Sequence, residues 1–510
     1  MKNILKYMFA GLVACGTLAS CNPDSLDTAP TDSMSGSDLL ANANSALVPL
    51  NGIYRSMFTA WSPQGNTHQC FGISAYSMMA DVMGEDFIMA APGSGWFWYD
   101  CIYQVKKRYT SNAWRSYDLW NAYYKWVSNA NYILSANETM EGTEADKNYV
   151  MGQAYVIRAY SYFMLAQSFA RTYKGHESEP CCPIYTEPTV AGTEGAARST
   201  VQEVYDQILK DLNEGLNLLK DTKRKHITHM GYEVALGLQA RIALVMENWE
   251  LAKTSAHEAI KVSGTKAIKP EDFAGLNNAK AKNVIWGAEI IPDQSGMYAS
   301  LFAHMSPEVS YGKSALKQIS KDLYAKMNAT DARTAWWLPN DPSNKKGGYL
   351  QNKFQFKDIQ TWTGDYIWMR AEEMYLTAAE AECRLGDEKA ALDDLKAVMS
   401  LRDPKYVCEK TGTALGKLTN EQTGSLLEEI LIQRRIELWG EFGRVYDIRR
   451  LKQGFVRSEE MGYPKDALLE NRPTTDPENF MWVMTIPQSE FDGNINMDPV
   501  KDQNPLGDTK

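Results

Sequence analysis

Residues 238–260 read LQARIALVMENWELAKTSAHEAI, and residues 376–398, LTAAEAECRLGDEKAALDDLKAV, follow the same pattern at a constant offset of 138. Ala240, Ala243, Ala252 and Ala259 in the first stretch fall in register with Ala378, Ala381, Ala390 and Ala397 in the second. Each stretch closes one amphipathic run at a turn residue, Asn248 or Gly386, and opens another directly after it. Small side chains at those positions let two helices fold back and approach closely, so each stretch is predicted to be a helical hairpin.

Helix pairs of about 34 residues follow tetratricopeptide (TPR) logic, and the surrounding chain extends it. Residues 114–136 carry Trp120, Tyr124, Val127 and Ala130 on one stripe, and residues 146–172 carry Val150, Ala154, Ile157 and Leu165. The run from Val201 to Leu219 has Ser199 or Thr200 as its cap. Further on, EEILIQRRIELWGEFGRVYDIRR (428–450) places Ile432, Ile436, Trp439, Gly443 and Tyr446 on one helical face, with Arg434/Glu437 and Glu441/Arg444 as i, i+3 pairs. Between the two hairpins, residues 264–370 are rich in Gly, Pro, Asn and aromatics, with strand-like pieces such as NVIWGAEI. The expected fold is mainly α: a TPR-like scaffold with loop-rich excursions and a few short strands.

The N-terminus gives the expected location. Lys2 and Lys6 precede a short apolar stretch, Met8 to Ala14, and then Leu18-Ala19-Ser20-Cys21. This is the pattern of a secretory signal whose cleavage frees Cys21 for acylation, as in bacterial lipoproteins. Two or more acyl chains anchor a protein stably without a spanning helix. Residues 22–38 hold little to bury and read as a tether. The formal charge is −10, and removing residues 1–20 would leave −12. A surface this acidic argues against nucleic acid or anionic lipid as a partner and favours neutral ligands. Beyond Cys15 and Cys21, the six remaining cysteines show no CxxC spacing, so zinc or redox chemistry finds no local motif. Cys181-Cys182 is read as packing or a vicinal disulfide.

Several stretches together resemble the SusD/RagB family of outer-membrane nutrient-binding lipoproteins. They are CNPDSLDTAPTD (21–32), VIRAYSYFML (156–165), YIWMRAEEMYLTAAEAECRLG (366–386), RRIELWGEFGRVYDIRR (434–450) and IPQSEFDGNINMDPVKDQNP (486–505). The last departs from the family pattern at Gly493-Asn494-Ile495, where Asn-Pro is usual. The resemblance implies a SusD-like fold and a palmitate-type anchor on Cys21 that holds the protein at the cell surface of the outer membrane. It also implies a SusC-like TonB-dependent transporter as partner. The implied role is to capture an oligosaccharide for polysaccharide utilisation, with no catalysis and no cofactor. RagB-type relatives handle peptides, so a peptide-binding lid is the alternative, and a surface glycoside hydrolase the less favoured one. The expected organisation is a signal at 1–20, a lipidated arm at 21–40, an N-terminal helical region at 41–263, a ligand-facing loop-rich region at 264–370 and a closing C-terminal region at 371–510.

The run GSGWFWYD (93–100) sets four aromatics side by side, and neither a strand nor a helix can bury all four on one side. Trp96, Trp98 and Tyr99, with Asp81, Glu85, Asp86 and Asp100 nearby, offer flat rings for a sugar's C–H face and carboxylates to orient its hydroxyls. Tyr298, Phe302, His304 and Tyr311 form a second aromatic loop, of which Tyr298 and His304 are nominated as ligand contacts. Trp336 and Trp337 are added as weaker candidates. Asp492, Asn494, Asn496 and Asp498 imitate a calcium loop but lack its Gly and its closing Glu. The pair His226 and His229 reads as a turn rather than a metal site. No GxSxG, HExxH, P-loop or GxGxxG is present.

Overall fold

The computed structural model describes residues 36–92, 96–104, 110–273, 275–339 and 348–505. The predicted signal at 1–20, Cys21 and most of the arm at 21–40 lie outside the described residues. The architecture is mainly α-helical and TPR-like, as its sequence period requires. The principal helices are α1 (Ala43–Ser56), α2 (Ile73–Val82), α3 (Trp114–Ser135), α4 (Glu144–Phe169), α5 (Val201–Leu219), α6 (Tyr232–Val245), α7 (Trp249–Ser263), α8 (Ala371–Leu385), α9 (Glu388–Met399), α10 (Leu426–Glu437) and α11 (Arg444–Arg450). Among the described residues no helix is long and apolar enough to cross a membrane.

The two matched stretches fold as hairpins, α6–α7 and α8–α9. Asn248 caps α7 by accepting the Leu251 N–H, and Asp387 caps α9 by accepting that of Ala390. Gly386 ends α8 at φ 83°, a left-handed conformation that glycine adopts without a Cβ penalty. The alanines of the first hairpin are fully buried, because α7 is covered by α6 on one side and α8 on the other. Ala390 and Ala397 of the second are only half-buried, since α9 lies farther out in the stack. Thr200 rather than Ser199 caps α5, in a reciprocal capping box with Glu203.

The segment 428–450 departs from the single helical face read in its sequence. Helix α10 ends at Glu437, and a turn leads into α11 through Gly443 at φ 106°. A Cβ on Gly443 would stand 2.7 Å from that of Ala80, so the close approach to α2 requires glycine. The break also re-assigns the charges. Arg434 pairs with Asp447 at 2.9 Å rather than with Glu437, and Arg444 pairs with Glu85 at 2.8 Å rather than with Glu441. Glu437 instead sits among Arg333, Arg370 and Arg402, while Glu441 takes Arg370 and Lys353.

Two small sheets organise the long excursion. Strand β2 (Val284–Ala288) pairs antiparallel with β6 (Tyr366–Arg370), which runs directly into α8. The excursion between them is thus closed at its base. Strands β1 (Phe87–Met89), β3 (Lys317–Ile319), β4 (Trp337–Pro339) and β5 (Tyr349–Gln351) form an antiparallel sheet in the order β1-β3-β5-β4. Pairing of β1 with β3 brings the excursion against the loops that follow α1 and α2. Cys181 and Cys182 are free, buried thiols 3.8 Å apart.

Candidate ligand-binding site

The four adjacent aromatics divide two inward and two outward. Phe97 and Trp98 are buried, Trp96 is half-buried and Tyr99 is 43% exposed. The reversal happens at Phe97, whose φ of 72° is an outlier for a bulky side chain. Its backbone N–H donates to Gln69 Oε1 at 2.9 Å, which holds the turn in place. Below it, Arg115 is fully buried with its guanidinium 4.2 Å from the Trp114 ring centroid and 5.2 Å from that of Phe97. It donates to both oxygens of Asp100, at 3.2 and 2.8 Å, and to Asp118 and the Gln69 carbonyl. One arginine therefore ties together the segments around residues 69, 97–100 and 115–118.

Above this foundation five rings from four separate segments converge. The His68 ring lies edge-on to Trp96 at 5.6 Å and stacks on Tyr298 at 5.7 Å. Tyr311 meets Trp96 edge-on at 5.6 Å, and His68 Nδ1 hydrogen-bonds the Tyr311 hydroxyl at 2.5 Å. Tyr298 packs against Trp362 at 5.1 Å. Tyr298 is 44% exposed and the others are half-buried, so ring surface faces outward. Met297 and Trp362 also have positive φ, 45° and 57°. With Phe97, three strained non-glycine residues border this one cluster, at a cost on the order of 1–3 kcal/mol each. Such strain collects where a surface must present side chains in a fixed pose.

His304 is the pedestal under the cluster, not part of its face. It is fully buried, stacks on Tyr311 at 5.1 Å and on Phe71 at 5.5 Å, and its Nε2–H donates to the His68 carbonyl at 2.7 Å. Burial, then the nearby Lys317, pushes its pKa down to about 3, so it is neutral.

The remaining nominated residues lie elsewhere. Asp81, Glu85 and Asp86 are buried against α10 and α11. Glu85 and Asp86 pair with Arg435 at 3.1 and 2.6 Å, and Asp81 accepts the Arg444 backbone N–H at 2.9 Å. Asp100 is locked to Arg115, and Trp98 is in the core. Trp336 and Trp337 are also buried, with Trp337 edge-on to Trp439 at 5.8 Å. The structure thus gathers Trp96, Tyr298 and, beneath them, His304, and places Tyr99 exposed in the adjoining turn. It adds His68, Tyr311 and Trp362. His68 and Trp362 escape a sequence reading because each is a lone aromatic in a polar turn. The only local hint is the Asp358–Thr363 turn, DIQTWT, which sets one tryptophan near its tip. His226 and His229 hold no common ligand position, since His229 is consumed by Tyr149 and Asn51 at 2.7 and 2.8 Å.

Residues 77–244 match a SusD-like family model described as "Starch-binding associating with outer membrane", and residues 310–506 match the model of the SusD family. Among solved structures, a SusD-like carbohydrate binding protein from Bacteroides vulgatus ATCC 8482 is similar at 26% identity and a TM-score of 0.76, over 91% of this chain and 99% of that one. A SusD superfamily protein from Bacteroides thetaiotaomicron VPI-5482 shares the fold at 21% identity and a TM-score of 0.74, over 91% and 100% of the two chains. Another from B. vulgatus ATCC 8482 does so at 22% identity and a TM-score of 0.74, over 92% and 100%. No curated protein sequence matches.

Proposed function

The chain is a SusD-like protein, and from that premise we propose that it is a cell-surface, lipid-anchored glycan-binding protein that delivers oligosaccharides to a SusC-like TonB-dependent transporter. The observation that carries the binding role is the outward-facing ring cluster of Trp96, His68, Tyr298, Tyr311 and Trp362. A pyranose C–H face laid on such rings sheds water from both partners, and each contact contributes about 0.5–1.5 kcal/mol by analogy with ring pairs. Several rings acting together reach useful affinity. A tethered binder needs only modest affinity, because docking on a transporter raises the effective concentration of its cargo. In this reading residues 264–370 are the ligand-facing excursion and Cys21 carries the anchor.

A non-catalytic role agrees with the state of the acids nominated from the sequence. Glu85, Asp86 and Asp100 are each committed to an arginine, which withdraws them from proton transfer at the surface. Burial pushes the Asp81 carboxyl up to about 8, and the residue is sealed at 4% exposure.

The test is affinity electrophoresis through glycan-laced native gels, with calorimetry on any glycan that retards the protein. Trp96→Ala and Tyr298→Ala each weaken binding about 2- to 12-fold, and the double variant abolishes retardation while circular dichroism stays unchanged. Retardation that survives the double variant defeats the assignment. Steady release of reducing ends from the same glycans defeats the non-catalytic reading, and capture of peptides instead of sugars would favour the peptide lid.

A further inference from the structure

Many buried carboxylates in the molecule are answered by arginine. Glu85, Asp86, Glu372, Glu373, Glu380 and Glu437 each face a guanidinium within 3.1 Å. Glu382 on α8 is answered differently. It is 4% exposed, yet among the described residues neither it nor its neighbour Asp394 has a lysine or arginine within ion-pair distance. Its Oε2 is buried with no hydrogen-bond partner among them. What faces the pair is His257 of α7, whose Nε2 stands 2.6 Å from Asp394 Oδ2 and 3.9 Å from Glu382 Oε1. The nearest cation along α7, Lys253, is instead paired with Glu250 at 3.0 Å.

We propose that His257, Glu382 and Asp394 form a binding site for a divalent transition-metal ion of the zinc class, clamping α7 to α8 and α9. One ligand atom from each residue lies within 4.8 Å of the others. Metal–ligand bonds of 2.0–2.2 Å in a tetrahedron separate neighbouring ligands by about 3.3 Å. The observed 2.6 and 3.9 Å from His257 bracket that spacing, and all three ligand atoms lie within 4.8 Å of one another, so side-chain rotamer adjustments bring them into place. One imidazole and two carboxylates suit zinc, with water in the fourth position, whereas calcium prefers an all-oxygen shell. A dication also resolves the electrostatics. Two carboxylates converge on one imidazole there, and among the described residues no lysine or arginine stands within ion-pair distance of either acid.

The position gives the clamp a purpose. Glu382 follows Ala381, one of the small residues that let α7 and α8 approach, and the trio joins the two hairpins between which the excursion of residues 264–370 is inserted. At the 138-residue offset, the counterparts of Glu382 and Asp394 in the first hairpin are Leu244 and Ala256. The charges therefore belong to this junction and are not a by-product of the repeat.

The decisive experiment is equilibrium dialysis of the full chain against zinc chloride, paired with cobalt(II) titration followed by visible absorption and with thermal melts. The wild type binds one zinc per chain, shows the d–d bands of a tetrahedral cobalt site and melts higher with metal. His257→Ala, at an exposed position that does not threaten folding, weakens zinc binding about tenfold or more and removes both the bands and the thermal shift. Glu382→Gln and Asp394→Asn, near-isosteric and uncharged, do the same. No stoichiometric zinc in the wild type, or binding unchanged by His257→Ala, overturns the site.

Discussion

Asp81 illustrates how far one residue's role lies outside its own neighbourhood in the chain. Burial pushes its pKa up to about 8, with Oδ1 accepting the Arg444 N–H and Oδ2 without a partner among the described residues. A group whose pKa rises on folding contributes most below its unfolded value, near 3.8, and loses that contribution as pH climbs through about 8. Asp81→Asn mimics the protonated acid. It is expected to stabilise the protein by roughly 1–3 kcal/mol at pH 9 and to leave it nearly unchanged at pH 4, as measured by paired thermal melts. Asp81, Glu85 and Asp86 looked like sugar ligands because they stand close to the aromatic run. Their true partners, Arg435 and Arg444, are about 350 residues away, and no local pattern encodes that pairing. The aromatic run was more legible. Four rings in a row cannot all be buried, and the φ of Phe97 turns the chain so that two are in and two are out.

At the scale of elements, the helical hairpins were readable because the alanine spacing and a turn residue recur together at one offset, as at Ala381 and Gly386. The break between α10 and α11 was not, because Gly443 fits a helical period as well as it fits a turn, and only its contact with Ala80 decides. That break swings Glu437 into a pocket with three arginines. Burial alone would raise its pKa, but Arg402, Arg370 and Arg333 hold it well below the ordinary carboxylate range. Glu437→Ala removes the carboxylate those three buried cations share, leaving them to Asp331, Glu372 and Glu441, and is expected to cost about 3–5 kcal/mol, seen as a lower melting temperature. Exposed Glu409→Ala should shift stability by less than about 0.5 kcal/mol. Equal effects from the two would deny the network its role. The strands were legible only in part. NVIWGAEI contains β2, but its partner β6 and the β1–β3 pairing depend on distant register.

For the whole molecule, the buried charges predict acid lability. Glu85 is held down to about 2, because Arg444 and Arg435 overcome the opposing effect of burial, and Asp447 is lowered likewise by Arg434, Arg450 and Arg444. Groups with depressed carboxylate pKa values stabilise above about 4.5 and lose that contribution as pH falls towards 2. Buried neutral His304 acts in the same direction, its contribution fading between about 6.5 and 3. Tryptophan fluorescence should therefore report cooperative unfolding between pH 4.5 and 2, and a native spectrum at pH 2 would contradict the charge network. The β2–β6 tie has a wider consequence. Because the two ends of the excursion are stitched side by side on the helical stack, its interior can lengthen or be rewritten cheaply: doubling a closed loop costs only about 0.6 kcal/mol in entropy. The molecule is in this sense a mount with an exchangeable head, able to change what it recognises while its frame stays as it is.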